Sequence, residues 1–170
     1  MDDKQQEFLK PFTAFLDTSN QETDRGRVLV AAAQIDGMLE EIIRAFLIPE
    51  KQSEALFKGA NAPLSSLFNK ANFAAALGLI SEEESHAIDI LRKVRNLFAH
   101  SVELSIEDEK VANQIRRLSF GIGQLISGQD SVIENPRSRF QMCVTSLIGA
   151  LYNRAHYVQS KALTKTEWPL

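Results

Sequence analysis

Apolar residues recur every three or four positions along most of this chain, a spacing that places them on one face of an α-helix. The clearest apolar stripe begins after Thr23 and ends before Pro49, and another begins after Ser81. Ser81 and Glu84 have the spacing of a capping box, in which each side chain binds the other residue's backbone N–H. No stretch is a convincing strand. The pattern therefore predicts an all-α fold, a helical bundle of four long helices plus shorter helices.

Proline, glycine and serine set the bounds of several predicted helices. Pro63 and Pro136 are each predicted to occupy the first position of a helix, where an N–H group would have no partner. Gly78 is predicted to end the helix that Pro63 begins, as a left-handed C-cap. Ser105 is predicted to cap a helix whose apolar stripe runs from position 111 to position 125.

The two ends of the chain complete the predicted architecture. A short helix is predicted around Phe8, Phe12 and Leu16, and the last helix is predicted to run from Pro136 to about Ala162. A length of 170 residues is typical of one domain with a sizeable core. We therefore predict a single all-α domain over residues 1–170.

Composition and charge exclude several classes of protein. The 19 basic and 22 acidic residues give a net charge of −3, so no long-range field attracts nucleic acid. A single cysteine, Cys143, permits neither an intrachain disulfide nor a cysteine-rich zinc site, and its apolar surroundings predict a buried thiol. No apolar run approaches the length of a membrane span, and the acidic N-terminus is unlike a signal peptide. We expect a cytoplasmic protein without a metal ion or cofactor.

The segment from Leu91 to His100, with the sequence LRKVRNLFAH, gathers the side chains best suited to chemistry. Asn96 and His100 are four residues apart and share one helical face, whereas Arg95 points roughly a quarter turn away. Two interpretations stay open. In one, Arg95 and His100 interact with the free carbonyl groups at the helix end, where positive charge is favoured. In the other, Arg95, Asn96 and His100 form a catalytic or binding site.

Asp36 is the polar exception on the flank of the first long helix. A carboxylate on a buried flank needs a partner, because an unpaired buried charge is unfavourable. Arg95 is the predicted partner and Arg25 is the second candidate, while a half-exposed Asp36 without a partner is the alternative. Asp24 is a candidate N-cap of the same helix. Asp24, Arg25 and Asp36 therefore join the predicted binding residues.

Residues 74–100 mimic a helix–turn–helix motif, in which the second helix enters the major groove with its N-terminus first. That end carries Glu82, Glu83 and Glu84, which the phosphates of DNA would repel. We therefore expect no direct, sequence-specific DNA binding by this element.

Two resemblances to known families are carried by these segments. The sequence RNLFAH, at positions 95–100, resembles the Arg–x4–6–His signature of HEPN domains, which are small helical bundles. The segment from Asp24 to His100 resembles the mannitol operon repressor (MltR) family, and the match covers about half of this chain. Its recurring features are a Pro-Leu helix, the break ALGLI, the acidic cap SEEE and a helix that ends in a basic residue and asparagine.

The repressor resemblance implies a helical regulator of transcription that acts through a protein partner. On that basis we predict a regulator that is a homo-oligomer and is not an enzyme. The HEPN resemblance implies the alternative, a metal-independent ribonuclease or RNA-binding module with a composite site supplied by two chains. In that mechanism His100 acts as general acid or base, Arg95 holds the scissile phosphate and Asn96 orients either group.

Overall fold

The computed structural model describes residues 21–101, 103–122 and 134–169, and seven α-helices without a strand lie within these ranges. The predicted all-α fold is confirmed. The predicted N-terminal helix around Phe12 lies outside the described residues. No helix within the described ranges is long and apolar enough to cross a membrane. The helices are α1 (Asp24–Phe46), α2 (Lys51–Ala55), α3 (Leu67–Ala76), α4 (Glu82–His100), α5 (Glu109–Ile115), α6 (Pro136–Leu151) and α7 (Arg154–Gln159).

Helix α1 is the centre of the bundle and packs against α3, α4, α6 and α7. It begins as predicted after Thr23, whose hydroxyl accepts a hydrogen bond from the N–H of Gly26 at 3.1 Å. Its apolar stripe, which includes Ile35 and Leu39, is buried in one hydrophobic core with Phe98 of α4. Each such side chain stabilises the fold by about 1.5–3 kcal/mol relative to exposure in water.

Helix α3 begins later than predicted, at Leu67 rather than at Pro63. Ser66 is the N-cap, and its hydroxyl accepts a hydrogen bond from the N–H of Asn69 at 3.2 Å. The side chain of Asn69 donates to the carbonyl of Pro63 at 2.7 Å, which places Pro63 in the turn before the helix. The predicted C-terminus is confirmed, because Gly78 adopts a φ of 67° and the backbone hydrogen bonds around it form a Schellman motif.

The helix predicted after Ser105 also begins later and is shorter. Helix α5 begins at Glu109, with Asp108 at the N-cap position, and ends at Ile115. The carboxylate of Asp108 accepts a hydrogen bond from the N–H of Ser105 at 2.6 Å. The hydroxyl of Ser105 donates instead to Asp24 of α1 at 3.1 Å. Ser105 therefore connects a loop to α1 and does not cap a helix.

The last predicted helix is divided into α6 and α7. Pro136 is the first residue of α6, as predicted. The chain leaves helical structure after Leu151, and Arg154 begins α7. The guanidinium of Arg154 lies 2.7 Å from the carboxylate of Glu84. Glu84 also forms the predicted capping box with Ser81, so one buried carboxylate joins the start of α4 to α7.

Cys143 lies in the core with 1% of its surface exposed, as predicted. Burial raises the pKa of its thiol to about 11, although the nearby positive charge of Arg139 lowers it. The thiolate is the reactive form of cysteine, so this thiol is unreactive at neutral pH.

Asp24 connects three parts of the bundle from the first position of α1. Its carboxylate accepts hydrogen bonds from the N–H of Ile106 at 3.0 Å, from the hydroxyl of Ser105 and from the guanidinium of Arg137 in α6. Burial alone would raise the pKa of Asp24, but these hydrogen bonds and the charge of Arg137 outweigh burial and lower the pKa. Asp24 is therefore a structural residue that holds α6 and a loop against α1.

Replacing Asp24 with asparagine is expected to lower the free energy of unfolding by about 1–3 kcal/mol at neutral pH, because charge-assisted hydrogen bonds are lost. A carboxylate whose pKa is lowered by folding stabilises the protein above its unfolded-state pKa of about 3.9. That contribution is lost as the pH falls through the folded-state value. Urea unfolding of wild type and Asp24→Asn should show a difference that shrinks below about pH 4. A difference that does not change with pH would contradict this role.

Candidate functional site

Two clefts flank the C-terminal half of α4. The first, here called the Phe68 cleft, lies between α1, the start of α3 and α4, and has a volume of about 530 Å³. The second, here called the His100 cleft, lies between α4 and α5 and has a volume of about 520 Å³. Asn96 lines both clefts, so α4 is the wall that separates them.

The three predicted site residues of α4 are divided between the two clefts. Arg95 lines the Phe68 cleft and His100 lines the other, while Asn96 is common to both. Arg95 and His100 are five positions apart, which separates them by about 140° around a helix. Nη1 of Arg95 lies 3.3 Å from Oδ1 of Asn96. One chain therefore brings Arg95 and Asn96 together but does not bring Arg95 to His100.

Arg95 and His100 both remain accessible at the surface, and Asn96 between them is half-buried. Within the part of the chain that the structure describes, no group of three or more His, Cys, Asp or Glu side chains could hold a metal ion. The accessible chemistry of this region is hydrogen bonding and positive charge.

The predicted pairing of Asp36 with Arg95 or Arg25 is wrong. Nζ of Lys70 in α3 lies 2.8 Å from Oδ2 of Asp36 and 2.9 Å from Oε2 of Glu40. The side chain of Lys70 is only 5% exposed, and a buried ammonium group requires nearby carboxylates. The guanidinium of Arg95 stays at the surface instead, where water solvates its charge.

Lys70 belongs to a charged cluster that continues along α1. Burial alone would lower the pKa of Lys70, but its hydrogen bonds to Asp36 and Glu40, and their charges, raise the pKa. Burial would likewise raise the pKa of Glu40, but Lys70 and Arg44 outweigh it and lower the pKa. Nε of Arg44 lies 2.9 Å from Glu40, and the guanidinium stacks over the ring of Phe57 at 4.1 Å. Arg44 also pairs with Glu54 of α2, so the cluster holds both α2 and α3 against α1, beside the Phe68 cleft.

The rim of the Phe68 cleft combines an aromatic ring with two arginines. Phe68 is 47% exposed, and Cζ of Arg92 lies 5.0 Å from the centre of its ring. Nη2 of Arg92 also donates to Asp89 at 2.7 Å, which holds the guanidinium in place. Arg95 lines the same cleft and is exposed. Exposed aromatic and arginine side chains around a concave surface are typical of protein-binding sites.

Replacing Lys70 with methionine is expected to lower the free energy of unfolding by about 2–4 kcal/mol, because Asp36 and Glu40 would lose their shared ammonium group. Arg95→Met is the matched control and should change it by less than about 0.5 kcal/mol, because Arg95 is exposed. Urea unfolding at neutral pH measures both values. Equal destabilisation by the two substitutions would contradict the assignment of Lys70 as the partner of Asp36.

The fold is similar to a chain in the X-ray structure of the MtlR–HPr complex from Escherichia coli, with a TM-score of 0.57. The alignment covers 90% of this chain and 99% of that chain, at 15% sequence identity. A likeness at this identity shows a shared fold alone. No protein-family model matches the sequence, and no curated protein matches it. The resemblance to the mannitol operon repressor family is thus supported at the level of the fold.

Proposed function

We propose that this protein is a transcriptional regulator of the mannitol operon repressor type, and that it acts by binding a protein partner. The observation that supports the proposal is the likeness of its fold, over 90% of the chain, to a chain of the MtlR–HPr complex. That structure is of a complex between two proteins, and HPr is therefore the first partner to test. In this proposal the protein recognises its partner without catalysing a reaction.

The Phe68 cleft is the proposed surface for this partner. A few aromatic and arginine residues usually supply most of the binding energy at a protein interface. Phe68 offers a half-exposed ring, and Arg95 has no carboxylate partner among the described residues. The guanidinium of Arg95 can therefore donate to a carboxylate or carbonyl of the partner, while an apolar side chain packs on Phe68.

The walls of the Phe68 cleft are held in position before any partner binds. Ala32 and Ala33 of α1 line it, and their small side chains leave space for a partner residue. The Lys70 cluster holds α3 against α1. A preformed cleft reduces the loss of conformational entropy on binding, which favours affinity.

The surface charge of α4 favours a protein partner over DNA. Glu82 and Glu83 are exposed at the N-terminus of the helix, where a helix–turn–helix protein would approach the major groove. Arg92, the first basic side chain after them, is bonded to Asp89 and stacked on Phe68. The end of α4 that would meet phosphates therefore presents negative charge.

Binding of E. coli HPr, measured by isothermal titration calorimetry, tests the proposal. Phe68→Ala and Arg95→Ala are each expected to raise the Kd about tenfold or more, which is the effect of losing a central interface residue. Tyr157→Ala and Arg116→Ala are matched controls at exposed positions outside the cleft and should leave the Kd unchanged. Absence of binding by the wild type, both to this HPr and to HPr from the organism that encodes the chain, would contradict the proposed partner.

Incubation with labelled single-stranded RNA in the presence of a chelator tests the ribonuclease alternative. Because Arg95 and His100 line different clefts, we expect the RNA to remain intact with wild-type protein and with His100→Ala. Metal-independent cleavage by the wild type that is lost in both His100→Ala and Arg95→Ala would instead identify an enzyme whose site is assembled from two chains.

A further inference from the structure

The His100 cleft has an apolar floor and a basic rim. Leu97 of α4 and Leu104 of the following loop line it, and both are only half-buried. Lys93, His100 and Lys110 also line it, and no aspartate or glutamate is among the described lining residues. The cleft therefore combines apolar surface that is in contact with water and basic side chains.

The two amide side chains of the cleft add hydrogen-bond donors. Oδ1 of Asn96 accepts a hydrogen bond from Arg95 at 3.3 Å, and Oε1 of Gln114 accepts one from Arg117 at 3.3 Å. In each amide an arginine occupies the oxygen, which leaves the NH2 group to donate. Neither NH2 group has a hydrogen-bond partner among the described residues, so both remain available to a ligand.

Lys110 supplies the most available positive charge. Nζ of Lys93 lies 2.7 Å from Asp89, but Asp89 also pairs with Arg92, so the charge of Lys93 is only partly balanced. Lys110 is exposed and forms no ion pair with any described residue. A negatively charged group in the cleft could therefore bind the ammonium of Lys110, which no described carboxylate pairs with, and the NH2 groups of Asn96 and Gln114.

We infer that the His100 cleft binds a small organic anion with an apolar body, such as an aromatic carboxylate or sulfonate. A volume of about 520 Å³ lies within the usual range for small-molecule sites. The anionic group would accept hydrogen bonds from Lys110 and the two amides, and the apolar body would cover Leu97 and Leu104. This site lies on the opposite side of α4 from the Phe68 cleft and goes beyond the proposed partner binding.

Both parts of the ligand are required by the chemistry of the cleft. An inorganic anion would leave the two leucines in contact with water and forgo the hydrophobic contribution. A neutral apolar molecule would displace water from the donors without replacing its hydrogen bonds, which is unfavourable. The cleft has an apolar floor and hydrogen-bond donors, and no acidic residue is among its described lining residues. It therefore selects a molecule that has both an apolar body and an anionic group.

Fluorescence titration with 8-anilino-1-naphthalenesulfonate tests the site, with N-phenyl-1-naphthylamine, the same molecule without the sulfonate, as the matched ligand. The wild type is expected to bind the sulfonate about tenfold more tightly than the neutral molecule. Lys110→Glu and the isosteric Gln114→Glu should each abolish this preference. Lys51→Glu, which makes the same charge change at an exposed position outside both clefts, should retain it.

Backbone amide chemical shifts recorded during the same titration locate the bound probe. Changes concentrated at residues 93–101 and 110–114 are expected. Equal affinity for the two probes, equal loss of preference in Lys51→Glu, or shift changes centred elsewhere would each overturn the inference. Binding of HPr is measured separately and concerns the Phe68 cleft. A failure to bind HPr would therefore leave the inference about the His100 cleft standing, and successful binding of HPr would not support that inference.

Discussion

The ammonium group of Lys70 is buried between two carboxylates of α1, and the geometry of both walls of the Phe68 cleft depends on it. A lone ammonium in a core is strongly unfavourable, but Asp36 and Glu40 lie within 2.9 Å and supply two charge-assisted hydrogen bonds. Removing one partner of such a pair is strongly unfavourable, because it leaves a charge in the core without its counter-charge. Here the ion pair fixes the position of α3 relative to α1. Phe68 is the second residue of α3, so its position is fixed together with that of the helix.

Helical periodicity explains why the candidate residues of α4 serve two surfaces. The apolar stripe of α4, which includes Leu91, Val94 and Phe98, faces the core, and the remaining positions are distributed on both sides of it. Arg95 lies on the side of α3, and His100 lies on the side of α5. A short sequence signature such as RNLFAH specifies spacing along the chain, but spacing alone does not decide that its residues meet.

Local sequence signals predicted several features that local hydrogen bonds determine, although the N-cap of α3 at Ser66 was missed. Gly78, Pro136 and the capping box of Ser81 depend only on residues within a few positions, and each was placed correctly. The position of Ser105 could not be derived in this way, because its hydroxyl binds Asp24, which is 81 residues away.

The partner of Asp36 was missed for a similar reason, although the sequence held a usable signal. Lys70 falls within the buried face of α3, between Leu67 and Ala74, and a lysine at such a position requires a carboxylate. Lys70 needs a carboxylate and Asp36 needs a cation, so the two requirements point to the same pair. Arg95 was predicted as the partner, but its position on α4 is exposed and its charge needs no carboxylate.

Asn96 contributes to both clefts, so a change at this residue affects both of them. It lines both clefts, its Oδ1 accepts a hydrogen bond from Arg95, and its NH2 group has no partner among the described residues. The amide has one acceptor oxygen and one donor nitrogen, so a bond that fixes the oxygen also fixes the nitrogen. Aspartate at this position would still accept from Arg95 but would replace the donor of the amide with a second acceptor. The two surfaces are therefore distinct in the groups that they offer, yet one side chain helps to define both.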